Sequence, residues 1–408
     1  MAVRRHAIVG LGSRAQLFAT ALAASPRAEL AAFCDHNETR MRVHNGWLGT
    51  EVPAYRPEDF AAMLAKERID VVVVCTPDHT HADYVVAALE AGCDVVTEKP
   101  MTTDAEGARR ILAARRETGR SVRVAFNYRY NPVHRRVREL LAAGAIGEIG
   151  SVEFSWLLDT AHGADYFRRW HRDKANSGGL LVHKSGHHFD LVNWWLGRGP
   201  ETVFALGRLF FYGDENGGRT AGDRFALDLD ASPKLRALYR DAEREDGYVR
   251  NQDVFAPGVT IEDDLSVLVR HHGGAVLNYH LHAYSPREGY RVAFSGSEGR
   301  LELDVRENEY AAGAEPVPKR AQARLTVQRH WEPPATVFDG LLGDGHGGGD
   351  ERMLAELLGD AEPDELGCAA GHEAGLQALL TGLAANRSLV TGRPVAVTEL
   401  LGEIGEPA

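Results

Sequence analysis

Along the first third of the chain, short runs that are apolar throughout alternate with longer stretches of helical spacing. Residues 6–10, 29–34, 71–75, 94–97 and 122–126 predict strands, and residues 17–24, 57–67, 81–91 and 105–118 predict helices between them. Strands with no polar face are buried on both sides, so the alternation predicts a doubly wound parallel sheet. After a helix over 133–142 the period shortens to two. Residues 151–157, 203–211, 266–270, 275–283, 291–294 and 299–304 then predict mainly antiparallel strands with one covered face. The expected fold class is α/β, with the parallel sheet in residues 1–126. An α+β domain with an open, mainly antiparallel sheet is expected in 127–408.

Two stretches leave this pattern. Residues 213–259 are acidic, polar and Gly-rich around a helical patch at 234–245, and residues 311–324 are rich in Ala, Pro and Lys. Both are expected to be insertions near a cleft mouth. Helices over 350–358 and 372–385 are expected to return and brace the sheet. The chain shows no internal repeat.

Composition narrows the function classes. A net charge of −12 argues against nucleic acid or an anionic membrane surface as the main partner. The four cysteines form no CxxC pair and no metal-ligand spacing, which predicts buried free thiols. The first residues hold no long apolar segment, and the expectation is a cytoplasmic protein.

The first strand runs into GLGSRA, and a helix follows. Gly10 permits a tight turn, Gly12 lets the backbone approach a pyrophosphate, and Ala15 allows close helix–strand packing. Free N–H groups at the helix start, with Ser13 and Arg14, would meet the phosphates. Asp35 ends the second strand, where a carboxylate takes ribose hydroxyls and repels a 2′-phosphate, so NAD is expected and NADP is less favoured. Neighbouring His36 and Arg40 weaken that preference.

The densest chemistry lies in 178–195, GGLLVHKSGHHFDLVNWW. As a helix it would put His183, His187 and Asp190 on one face and Lys184 and His188 on the next, over an apolar anchor. Between His162 and Asp190 the net charge is +2 and five histidines occur, which hints at an anionic substrate. A zinc site of His183, His187 and Asp190 is a minor alternative, since Lys184 would repel the ion; the expectation is no metal. His280 and His282 share one strand face.

Three motifs, GLGSRA, TPDHTH at Thr76 to His81 and EKP at Glu98 to Pro100, together with their spacing, resemble the Gfo/Idh/MocA oxidoreductases. The resemblance spans the chain, thinning at 213–259 and 307–345. It implies a Rossmann domain and a cofactor site built from Gly10, Gly12, Ser13, Arg14, Asp35, Thr76, Asp78, His81, Glu98, Lys99 and Asn127. Lys99 would lie beside the nicotinamide and polarise the substrate oxygen, and Glu98 would contact the nicotinamide ribose. The Lys99–Pro100 bond is often cis in this family.

NYRYNP at Asn127 to Pro132 resembles the family's hinge, so Asn127, Tyr128 and Arg129 would face the cleft. The family pattern of GG, Asp, His and a further Asp maps onto Gly178, Gly179, His183, His187 and Asp190, which gives His187 the base role. His183 stands where an aspartate is usual, and Lys184 adds a charge. The open sheet face commonly makes oligomer contacts, implying a homodimer or homotetramer.

The expected activity is NAD-dependent hydride transfer at a CH–OH group of a sugar, polyol or related, anionic carbohydrate. His187, Lys99 and His183 would handle protons, and Tyr128, Arg129, Lys184 and His188 would bind substrate. Two alternatives stay open. One is a redox glycosidase that oxidises, eliminates, hydrates and re-reduces a glycoside. The other is a dinucleotide-sensing regulator without catalysis.

Overall fold

The computed structural model describes residues 3–219, 224–310, 321–359 and 364–407. Its first sheet contains β1 (Arg4–Val9), β2 (Ala28–Cys34), β3 (Ala54–Tyr55), β4 (Val71–Val74), β5 (Asp94–Thr97) and β6 (Val122–Val124). The strand order is β3-β2-β1-β4-β5-β6 and every pairing is parallel. Val71 to Val74 are buried, as an all-apolar strand covered on both faces requires. The winding direction reverses between β1 and β4. The crevice beyond their carboxyl ends is where such a sheet holds ligands.

The second sheet contains β7 (Ile149–Asp159), β8 (Pro200–Arg208), β9 (Asp264–His271), β10 (Val276–Ser285), β11 (Gly289–Gly296) and β12 (Gly299–Arg306). It is completed by β13 (Gln322–Arg329), β14 (Ala335–Leu341) and β15 (Val395–Ala396). The order is β14-β13-β12-β11-β7-β10-β9-β8-β15. All neighbours are antiparallel except β7 and β10, which run parallel because β10 inserts between β7 and β9. Burial alternates strictly along β9, β10 and β12, so one face is covered and the other open. His280 and His282 lie on the open face, with His280 Nδ1 3.0 Å from Ser266 Oγ.

Two expectations change. Of the stretch 311–324 expected to be an insertion, 322–324 open β13, and 311–320 lie outside the described residues. Strand β14 is at the sheet edge with β13 beside it, and both are half-exposed and carry a weak apolar alternation, which hides them from a periodicity reading. The helix expected from Gly179 onward is two helices, Leu180–His183 and Ser185–Leu196, meeting at Lys184. No described helix is long and apolar enough to cross a membrane.

Residues 185–195 are all buried, since the second of these helices packs through its rings on Trp156, Tyr279 and Phe294 of the sheet and along its side against the helix His372–Thr391. Its Asp190 is clamped by Arg129, whose Nε and Nη2 donate at 2.7 and 2.6 Å to the two carboxylate oxygens. This bidentate pair ties the segment after β6 to the helix carrying His187. Asp190→Ala should therefore destabilise the protein by about 3–5 kcal/mol in urea unfolding, because it strands a buried guanidinium. Arg129→Met combined with Asp190→Leu should recover most of that loss.

Candidate active site

Gly10 closes the turn after β1 with φ +84°, and a Cβ there would stand 2.6 Å from the Thr76 backbone nitrogen. Gly12 is more open, the nearest atom to such a Cβ being Tyr239 Oη at 3.6 Å. The helix Ala15–Ala24 follows at once, so its first N–H groups face the crevice. Asp35 is pinned at the end of β2, its Oδ2 accepting from Leu11 N at 2.5 Å and its Oδ1 from Asn37 N at 2.8 Å. Together these walls begin a cavity of about 1240 Å³ that runs between the two sheets. It exceeds the roughly 300–1,000 Å³ of an ordinary small-molecule pocket, leaving room for a dinucleotide and a second ligand. The glycine cradle, the helix start and the carboxylate at the end of β2 fit a dinucleotide.

At the other end of the cavity, Thr76, Asp78, His81, Glu98, Lys99, Asn127, His183, Lys184 and His187 form the walls. The Lys99–Pro100 peptide bond is cis. Lys99 Nζ donates to His183 Nε2 at 3.2 Å and to the His183 carbonyl at 3.2 Å. His183 Nδ1 is hydrogen-bonded to Asp78 Oδ2. With the proton on Nδ1, the ring donates to the carboxylate and leaves Nε2 to accept from Lys99. A carboxylate, an imidazole and an amine thus stand in one chain from three different elements, the segments after β4 and β5 and the helix Leu180–His183.

Burial governs the protonation of this chain. Desolvation pushes the Lys99 ammonium down to about 8, against the pull of Asp78 and Glu98 and with the help of Lys184. Burial, then the positive charge of Lys99, drives His183 and His187 well below the usual imidazole range, so both are neutral bases near pH 7. Desolvation raises Asp78, while Lys99 and Arg169 pull it back.

Arg14 turns from the Gly-rich loop toward this end, pairing with Glu98 at 2.5 Å and with Asp350 at 2.8 Å. Asn127 Nδ2 donates to Asp350 Oδ1 at 2.7 Å, and His346 Nδ1 meets Asp350 Oδ2 at 2.8 Å. Behind the wall, His187 stacks on Tyr128 at 4.7 Å between ring centroids. Lys184 is buried, with Nζ 4.8 Å from the Trp156 ring centroid.

Three of the substrate-site expectations fall outside the lining. Tyr128 backs His187 without lining the cavity. Arg129 is spent on Asp190, and His188 is buried against Trp156 at 4.1 Å with Nδ1 2.7 Å from Tyr279 Oη. Asp190 consequently does not join His183 and His187. A different trio, Asp78, His171 and His183, brings its donor atoms within 4.8 Å of one another, but Lys99 engages His183 Nε2 there.

Residues assigned no site role from sequence also line the cavity: His162, Asp165, Tyr166, Arg169, His171, Tyr239, Tyr248, His346 and Asp350. The run GDGHGGGD around His346 carried a signal, a histidine and an aspartate four apart in a glycine-rich segment. Asp165, beside Arg169 and Arg250, is held well below the usual carboxylate range despite its burial. The remaining residues come from a helix and an excursion whose placement no local pattern encodes.

Comparison with known proteins agrees with this geometry. The model described as an oxidoreductase family with an NAD-binding Rossmann fold matches residues 4–126, and its C-terminal alpha/beta domain model matches 138–397. The YteT protein of Bacillus subtilis (strain 168), named as an oxidoreductase, is 37% identical over 377 residues, covering 86% of each chain. Inositol 2-dehydrogenase of Rhizobium meliloti (strain 1021) is 32% identical over 201 residues, which cover 49% of this chain and 57% of that protein. In fold, the chain is similar to the WlbA dehydrogenase from Bordetella pertussis, solved in complex with NADH and UDP-GlcNAcA. That match has a TM-score of 0.67 at 19% identity and covers 97% of this chain and 99% of the other.

Lys99 titration can be followed without any substrate, by competitive amine labelling across pH read by mass spectrometry. Half-labelling is expected near pH 8. Asp78→Ala should lower that midpoint, because the carboxylate stabilises the ammonium, and Lys184→Ala should raise it, because the neighbouring cation opposes it.

Proposed function

The chain belongs to the Gfo/Idh/MocA oxidoreductase family, and on that premise we propose that it oxidises a carbinol of an anionic, sugar-like substrate with NAD. The observation that carries the reading is the Lys99–His183–Asp78 chain at one end of a cavity whose other end is the Gly10–Gly12 cradle. Bound there, the nicotinamide supplies a hydride acceptor at C4. Arg14 and Glu98 pair with each other between the two ends, where the nicotinamide ribose would lie. Asp35 favours ribose hydroxyls over a 2′-phosphate. Lys99 in its neutral form takes the hydroxyl proton, and His183 Nε2, 3.2 Å away, is the next acceptor. Asp78 holds the His183 ring in the tautomer this needs.

His187 is the second neutral acceptor on the same wall. Its Nδ1 is shut from solvent and has no hydrogen-bond partner among the described residues, so Nε2 is the ring nitrogen left to meet substrate. Lys184 and Arg169 make this end cationic, which suits a carboxylate or phosphate on the substrate. The named complex of WlbA with NADH and UDP-GlcNAcA supports a sugar-type substrate in this fold. The open face of the second sheet, with His280 and His282, is the surface for a homodimer or homotetramer.

The test is a panel of aldoses, polyols and uronates with NAD, read as NADH absorbance. Stoichiometric NADH with an acidic member of the panel is expected, with NAD bound more tightly than NADP in calorimetry. Asp35→Ser should narrow that difference. Aglycone release from a glycoside without net NADH would replace the dehydrogenase by the redox-neutral hydrolase. Turnover on nothing, with NAD bound, would leave a sensor.

Two pH profiles separate the proton carriers. Oxidation should rise with pH through about 8 as Lys99 loses its proton, and Lys99→Met should lower kcat by roughly 10²–10⁴ and abolish that limb. His187→Ala should lower kcat but keep the limb. Lys184→Ala should instead raise KM for the acidic substrate, with kcat/KM down roughly tenfold to a hundredfold.

A further inference from the structure

The excursion between β8 and β9 reaches back across the cleft and settles on the adenosine end of the cavity. Leu229, Leu238 and Tyr239 make a small core of their own, with Val43 of the helix Glu38–Leu48 packed against it. Polar contacts fix the same junction. Asn37 Nδ2 donates to the Ala242 carbonyl at 2.9 Å, and Thr39 N donates to Glu245 Oε2 at 3.1 Å. Tyr239 Oη accepts from Ser13 N at 3.0 Å, so this segment touches the Gly-rich loop itself.

At the centre of the junction sits Arg40, which lines the cavity beside Asp35. Its side chain is 7% exposed and its Nη1 lies 2.8 Å from Asp246 Oδ2, against 4.0 Å from Asp35 Oδ1. Arg40 Nε donates to the Leu238 carbonyl at 3.0 Å. The guanidinium is flanked by the rings of Tyr239 and Tyr248, at 5.7 and 5.9 Å. His36 Nε2 is 3.1 Å from the same Asp246 oxygen. One carboxylate from the excursion therefore engages both basic residues that follow Asp35. Lys234, which also lines this end, is the cation that Asp246 leaves unengaged in these contacts.

We propose that Asp246 is a specificity-determining residue, which selects NAD over NADP by neutralising Arg40 at the ribose site from across the cleft. The proposal rests on the dinucleotide reading above and goes beyond it, since Asp35 alone would leave Arg40 free to pair with a phosphate. A 2′-phosphate entering the wild-type site meets two carboxylates and an arginine whose charge is already balanced. Removing the Asp246 charge turns Arg40, with Lys234, into a phosphate-binding pair.

The experiment is calorimetric binding of NAD and NADP to the full chain, with circular dichroism to confirm folding. Asp246→Asn keeps the shape and the hydrogen-bond acceptor, and the Kd ratio of NADP to NAD should fall about tenfold or more, as one charge-assisted contact allows. Asp246→Ser carries the same expectation should the first variant fold poorly. Adding Arg40→Met to Asp246→Asn should restore the wild-type ratio, which identifies Arg40 as the group released. An unchanged ratio in the Asp246 variants, while Asp35→Ser shifts it, overturns the proposal and leaves the dinucleotide reading intact. A wild-type protein that binds NADP as tightly as NAD overturns it too. Binding of neither dinucleotide overturns both readings.

Discussion

The half-buried ammonium of Lys99 is the constraint around which this protein is arranged. Taking a cation out of water costs several kcal/mol unless opposite charge and hydrogen bonds follow it. Asp78, Glu98 and the acceptors of His183 supply that compensation only in part, and the residual cost appears as an amine that titrates near pH 8. The compensating groups come from the ends of β4 and β5 and from the helix Leu180–His183, so the two sheets must meet at this point. Glu98 is shared with Arg14, and Arg14 with Asp350, which Asn127 and His346 also hold. Charge compensation thus runs from the Gly-rich loop to the C-terminal segment, and each link positions the next.

A second constraint is shape. Trp156 on β7 is fully buried and stacks on His188 at 4.1 Å and on Tyr290 at 4.2 Å. Tyr128 continues the pile toward His187. Flat rings at these separations leave little room for tilting, so the wall behind His187 and Lys184 is rigid. His188 thereby acquires a structural place although its sequence neighbours line the cavity. The histidine-rich stretch divides its work by the turn of the helix: His183, Lys184 and His187 to the cavity, His188 and Asp190 to the packing.

Much of this was legible in the sequence. All-apolar strands give the first sheet because burial on both faces leaves no polar alternation, and the three motifs mark the strand ends where that sheet holds ligands. Departure from the family pattern at His183 was visible too, although its partner was not. Asp78 lies 105 residues earlier, and nothing local links the two. The same limit explains Arg129, whose bidentate clamp on Asp190 depends on how the hinge meets a helix 61 residues away. The excursion over 213–259 read as an insertion because its composition is polar. Its hold on the Asp35 end of the cavity comes from a few apolar residues and a few ion pairs, too sparse to form a period. Strands β13 and β14 were hidden because the end of the sheet is half open to solvent and needs no regular alternation.

Whether a carbinol meets the nicotinamide at the Lys99 end of the cavity can be seen directly. A crystal structure of the full chain with NAD bound should place the pyrophosphate on the Gly10–Gly12 turn and the nicotinamide ring against Lys99 and His183. Its C4 should face the space between Lys99 and His187, with room for a carbinol carbon about 3–3.5 Å away. A nicotinamide directed out of the cavity, or an adenine lying at Lys99, would rule out Lys99 and His183 as the groups that receive the proton.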